Sequence, residues 1–269
     1  MSAPSRTGRT RKAAVAAAFG AAADGYEADA ALQRTVAGRL ADRIAALPLP
    51  PKPRVLEIGC GTGFLGRALA ARLPGARWLA TDLSEPMVAR CRAGWPDGEA
   101  AAFLVMDGEV PCLAPYDQKG GRFDLICASL ALQWFAEPGA ALTAWAGLLA
   151  PDGLIAYATL AAGTFAEWRA AHEALGLSAG VPDYPEQDQL QALWPEAGRG
   201  RVETETVTAE HADAHAFLTV LKGIGAHLPA AGHRPLPPGA LRRVLRRFAP
   251  PVSMTISYRV AYGLFRNIS

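Results

Sequence analysis

The chain has 269 residues, 51% of them hydrophobic and 19% charged, with a formal net charge of +2. A chain so apolar and so weakly charged is not a disordered one, and its length suits one large α/β domain with an ample core. No run approaches the roughly 20 unbroken apolar residues needed to cross a bilayer, and the balanced charge does not imply a nucleic-acid partner.

Arg6, Arg9, Arg11 and Lys12 precede an alanine-rich run from Ala13 to Ala23, with no acid before Asp24. The pattern mimics a signal or transit peptide. Alanine makes a weak apolar segment for one, however, and the run leads without a clear break into a helical pattern at Leu32, Val36, Leu40 and Ile44. The expectation is a disordered basic start over 1–18, followed by a retained helical segment.

Apolar runs then alternate with helical patterns. A buried strand is predicted over 54–58, ending in a glycine cluster, and a helix over 64–73, stopped by Pro74-Gly75. A strand follows at 78–81 and a helix at 85–93 with Ser84 as its N-cap. Strands at 102–105 and 123–128, a helix from Pro138 to Leu149, and a strand at 154–159 after the turn Pro151-Asp152-Gly153 complete the series. Repeated units of this kind mean a parallel sheet covered on both faces. After Thr159 the rhythm changes. Helices are predicted over 164–175, 186–194, 211–224 and 239–248, with alternating strands at 201–208 and 252–265. The result is one domain with helical insertions around 160–200 and 211–248.

Cys60, Cys91, Cys112 and Cys127 contain no C-x-x-C pair and read as reduced thiols in a cytoplasmic protein. His211 and His215 stand at i, i+4, but the nearby Asp213 falls on another helical face, so no metal is expected.

The first strand runs into Glu57-Ile58-Gly59-Cys60-Gly61-Thr62-Gly63. Alternate glycines let the backbone turn sharply and approach a ligand closely, at the strand ends where open α/β sheets bind ligands. Gly61, Gly63 and Gly66 also spell G-x-G-x-x-G, and Asp82 follows 19 residues after Gly63, which is the dinucleotide fingerprint as well. Three acids separate the two readings. Glu57 stands where a bound cation would want a carboxylate and a pyrophosphate would not. Asp82, closing the second strand, suits ribose hydroxyls, and Asp107, just past the third, suits an adenine amino group. S-adenosylmethionine has that shape: adenosine at one end, positive charge at the other, no phosphates.

On these residues the chain resembles the class I methyltransferases. The resemblance covers Glu57 to Gly63, Thr81 to Ser84, Met106-Asp107-Gly108, Phe123 to Ile126 and Leu149 to Gly153. It implies a Rossmann-like fold with a seven-stranded, mostly parallel sheet whose last strand is antiparallel. It also implies a cofactor site holding Glu57, Gly59, Gly61, Gly63, Asp82, Leu83, Asp107, Gly108 and Ser129.

Narrower features are Tyr26 with Gln33-Arg34, Ser129 to Trp134, the run Thr159-Leu160 … Gly163-Thr164-Phe165 … Glu167-Trp168-Arg169, Gly223 to His227, and Gly232 to Leu236. Together they resemble the malonyl-acyl-carrier-protein O-methyltransferases of biotin synthesis, from about Phe19 onward. That resemblance implies methylation of the free malonyl carboxylate, with acyl-carrier protein or coenzyme A as its carrier. Another small carboxylate such as aconitate is an alternative acceptor, and a non-catalytic, cofactor-binding scaffold is a reading of a different class.

A malonyl carboxylate is ionised at neutral pH and needs no general base, so catalysis reduces to placing oxygen against methyl and excluding water. An arginine fork suits an anion in a dry pocket. Arg169 is the leading candidate, although it equally fits the solvated side of an amphipathic helix that turns Phe165, Trp168, Ala171 and Leu175 inward. Tyr26 as a closing residue, and Gln133 and His227 as hydrogen-bonding groups, complete the expected acceptor set. Over 241–248, Leu241, Val244, Leu245 and Phe248 form one stripe, leaving Arg242, Arg243, Arg246 and Arg247 on the opposite side without an acid. An ordinary charged face has this pattern, and so does a surface that steers an acidic carrier protein.

Overall fold

The computed structural model describes residues 6–113, 121–230, 232–248 and 254–268. Among them, seven strands form one sheet: β1 (Arg54–Ile58), β2 (Arg77–Asp82), β3 (Ala101–Val105), β4 (Phe123–Ser129), β5 (Leu149–Leu160), β6 (Gly198–His211) and β7 (Met254–Asn267). Their order is β3-β2-β1-β4-β5-β7-β6, with β7 antiparallel to both neighbours and β1 to β5 parallel. The expected seventh strand lies where predicted, although residues 252–253 fall outside the described ones.

Strand alternation distributes the core between two faces. Val55, Leu125, Cys127, Ala156 and Ala158 point to one face, where Val36, Leu40 and Ile44 of α3 (Ala31–Ala45) and Leu65 and Leu69 of α4 (Phe64–Ala70) cover them. Leu56, Ile58, Ile126, Ile155 and Tyr157 point to the other, beneath Leu142 and Trp145 of α6 (Pro138–Ala146). Both faces are dry, which explains why these strands read as continuous apolar runs.

The remaining helices are α1 (Arg6–Ala22), α2 (Tyr26–Asp29), α5 (Glu85–Ala93), α7 (Ala166–Glu173), α8 (Gln187–Gln191), α9 (Ala214–Gly223) and α10 (Pro238–Phe248). Helix α1 departs from the disordered start expected over 1–18. Alanine has the highest helix propensity, and Val15 and Ala23 find buried positions on the body of the protein. Residues 1–5 lie outside the described ones. Ser84 does stand at the N-cap of α5, but its hydroxyl caps nothing and has no partner among the described residues. Strand β5 starts before its expected boundary because the Pro151–Gly153 turn is carried within it while Leu149 still pairs with Phe123. Among the described residues no helix is long and apolar enough to cross a membrane.

Candidate active site

The sheet changes direction of winding between β1 and β4, so a crevice opens beyond their carboxyl ends. The glycine loop after β1 forms its floor. Gly59 and Gly61 have φ of +68° and +53°, and a Cβ on Gly59 would lie 2.6 Å from the Ala131 side chain. The Gly61 amide donates to Asp82 Oδ2 at 2.9 Å, and the Ser84 amide to Oδ1 at 2.8 Å. Those bonds fix the carboxyl group at the end of β2. Burial nonetheless raises its pKa above the ordinary value, since it outweighs the amides' preference for the anion.

Glu57 lies beneath the loop, 1% exposed, and its Oε2 has no hydrogen-bond partner among the described residues. Burial pushes its pKa up to about 8, with the amide of Gly66 opposing and Asp82 adding to the rise. Gly66 makes room for it, because a Cβ there would stand 2.5 Å from Oε2.

The cleft is lined by Gly59, Gly61, Asp82, Leu83, Asp107, Gly108 and Ser129. Glu57 borders an adjoining hollow shared with Gly59, Gly61 and Ser129. Gly63 lines neither; its φ of +97° makes the N-cap of α4, packed toward Cys91. A buried carboxyl with a spare oxygen beside a glycine-lined hollow, and a fixed carboxyl farther along, suit a ligand with a cation and vicinal hydroxyls. Ionised, they would repel a diphosphate. S-adenosylmethionine fits these groups.

Sequence reasoning did not foresee Lys12, Val15 and Phe19, with which α1 walls the cleft, nor Met87 and Met106. Only the i, i+3, i+7 spacing of Lys12, Val15 and Phe19 hinted at a common face.

A second cavity adjoins the first, and Phe19, Tyr26, Leu130 and Trp134 line both. Phe19 packs edge-on against Trp134, ring centroids 5.4 Å apart, and Tyr26 lies between Phe19 and Phe64. Burial, with Asp82 adding to it, raises the Tyr26 pKa well above the usual phenol value, so its hydroxyl keeps its proton. Gln133, in a 3₁₀ turn at Leu132–Trp134, donates to Leu130 O at 2.7 Å and accepts from Thr159 Oγ1 at 3.1 Å. Gln33 of α3, not assigned from the sequence, faces both the second cavity and the hollow beside Glu57, and its Oε1 has no partner among the described residues. His227 stands exposed on the lining.

Arg169 is a correction. It does not line the cavity: Nη2 donates to Pro182 O and Nη1 to Asp183 Oδ1 at 3.3 Å. Trp168 takes the inward position on α7, and one residue further turns the next side chain by about 100°, toward the 182–184 segment that borders the cavity. The polar side chains lining this cavity are those of Tyr26, Gln33, Gln133, Tyr184 and Tyr258, the indoles of Trp134 and Trp168, and the imidazoles of His227 and His233; among the described residues no Lys, Arg, Asp or Glu lines it.

On α10, Val244 is fully buried with Leu241 and Leu245 packed beside it, and all four arginines are exposed. The side chain of Phe248 lies outside the described ones. The four cysteines are free. His211 packs edge-on against Phe217, and among the described residues no three His, Cys, Asp or Glu converge as for a metal.

The chain matches a family model described as a methyltransferase domain over residues 56–155. It is 41% identical, over 98% of its length, to a malonyl-[acyl-carrier protein] O-methyltransferase of Magnetococcus marinus, covering 96% of that protein. It is 47% identical over 94% of its length to a biotin biosynthesis bifunctional protein, BioCD, of Bordetella avium, and spans 52% of that longer chain. Among solved structures, the YcgJ protein of Bacillus subtilis is similar with a TM-score of 0.60 at 13% identity, over 86% of this chain and 99% of that one. Magnesium protoporphyrin IX methyltransferase of Synechocystis, solved with bound SAH, gives 0.52 at 18% identity, over 87% and 83%. Identities that low speak for the fold alone, whereas the Magnetococcus marinus relative matches nearly end to end. The chain belongs to the malonyl-[acyl-carrier protein] O-methyltransferases, within the S-adenosylmethionine-dependent class I methyltransferases.

Proposed function

We propose that the protein methylates the free carboxylate of a malonyl thioester carried by acyl-carrier protein, an early step of biotin synthesis. One observation supports this most: the cofactor cleft and the second cavity share a wall of four residues, and among the described residues the second cavity is lined by hydrogen-bonding groups with no Lys, Arg, Asp or Glu. When bound, S-adenosylmethionine supplies a sulfonium-activated methyl group. Glu57 meets positive charge, Asp82 the ribose, and Asp107 the adenine end.

The neutral lining has a physical rationale. An anionic carboxylate and a cationic donor become a neutral ester and a neutral thioether, so charge vanishes along the reaction. A guanidinium on the carboxylate would stabilise the ground state more than the transition state and slow transfer. Neutral donors orient the oxygen without that penalty. The Tyr26 hydroxyl and the Gln133 amide, held by Thr159 and Leu130, serve this role, and His227 stands where the thioester arm enters. Arg169 acts at one remove, bracing the segment at Pro182 and Asp183. The exposed arginines of α10 steer the acidic carrier. The compartment is the cytoplasm, consistent with four free thiols.

Labelled methyl transfer should be compared across malonyl-carrier protein, malonyl-coenzyme A and free dicarboxylates including aconitate. Malonyl-carrier protein is expected to lead in kcat/KM by about tenfold or more. A free dicarboxylate leading would overturn the acceptor assignment, and no transfer to any acceptor would favour a scaffold.

A further inference from the structure

Lys12, on the second turn of α1, is only 15% exposed in its side chain, with Nζ 2.6 Å from Asp107 Oδ2 and 2.7 Å from Glu109 Oε2. Both acids belong to the loop after β3. Asp107 Oδ1 accepts from the Glu109 amide at 3.0 Å, and Glu109 Oε1 accepts from the Glu137 amide at 2.6 Å, at the N-cap of α6. The cluster therefore ties α1 to the sheet and to α6. Without the ammonium group, two carboxylates would share one site, with the Glu109 side chain 6% exposed, an arrangement that like charges oppose. Burial works against the charge on Lys12, but its attraction to both acids prevails and holds its pKa above the lysine norm.

The same face of α1 carries Val15 and Phe19 into the cleft, and Arg11 reaches Pro229 O at 3.3 Å across the second cavity's lining. Because α1 forms one wall of the cleft, displacing it would open that wall to a leaving ligand. We propose that Lys12 is a positioning residue for the cofactor: its ion pairs with Asp107 and Glu109 latch α1 over the adenosine end of the cleft and set how fast the spent cofactor leaves. This rests on the reading of the cleft as the S-adenosylmethionine site.

The test measures association and dissociation of S-adenosylhomocysteine by stopped flow, following tryptophan fluorescence, since Trp134 lines the cleft. The full chain, Lys12→Met and Lys12→Arg are compared. The expected result is dissociation about tenfold faster in Lys12→Met with association little changed, and substantial restoration in Lys12→Arg. Lys12→Met releasing at the unmodified rate, or Lys12→Arg releasing as fast as Lys12→Met, overturns the latch and leaves the cofactor reading intact. An unmodified chain that binds no S-adenosylhomocysteine overturns the cofactor reading, and the latch with it.

Discussion

A buried carboxyl group with an oxygen left over is costly to keep, since an unsatisfied buried acceptor costs about 1–3 kcal/mol and more when charged. Glu57 carries that cost beneath the glycine loop, and a positively charged ligand relieves it. The sign of the pH effect follows. Its folded pKa, pushed up to about 8, stands above its ordinary carboxylate value, so between those values the folded state holds more protons than the unfolded one. Its contribution to stability therefore declines as pH rises toward 8, while its attraction for a cation grows. Thermal melts and cofactor titrations from about pH 6 to about pH 9 should show Glu57→Gln with a flatter melting profile and without the strengthening of cofactor affinity at higher pH. Identical profiles for variant and parent would remove Glu57 from the cofactor's charge complement. Asp82 differs because both its oxygens already accept backbone amides, which makes it a fixed group rather than a spare one.

At the level of elements, α10 separates its two duties by face. Val244, Leu241 and Leu245 hold it against the core, and Arg242, Arg243, Arg246 and Arg247 point to solvent. Reversing charge at Arg242 and Arg246 should raise KM for the carrier-bound acceptor several-fold, with kcat and KM for a small malonyl thioester unchanged; equal effects on both acceptors would argue against carrier docking. The parallel strands were legible from the chain because burial on both faces leaves an apolar run such as Leu125 to Ala128 that needs no partner information. Helix α1 was not, because what holds it lies far off in sequence: Lys12 meets Asp107 95 residues on. The periodicity that turned Phe165, Trp168 and Ala171 inward also offered the outer side of the helix for Arg169, and that is where it stands; its partners Pro182 and Asp183 depend on where the chain returns, which periodicity does not contain.

Across the whole molecule, strand order does the decisive work. The reversal between β1 and β4 brings the glycine loop, Asp82 and Asp107 to one side of the crevice, and Leu130, Gln133 and Trp134 after β4 to the other. The cofactor half was readable because loop, spacing and acids are consecutive along β1 to β3. The acceptor half was readable only in part: Tyr26, Gln133 and His227 line the cavity as named, but Gln33 and Tyr184 went unassigned and Arg169 stands outside, since α2, α3, the turn after β4, α7 and α9 all contribute to it. The central claim is that these halves join a sulfonium donor to a carboxylate. Mass spectrometry of malonyl-acyl-carrier protein after reaction with methyl-deuterated S-adenosylmethionine tests it most directly. The account predicts one deuterated methyl on the malonyl carboxylate, removable by mild alkaline ester hydrolysis. Malonyl groups left unlabelled, or label residing on any other atom of the carrier, would contradict it.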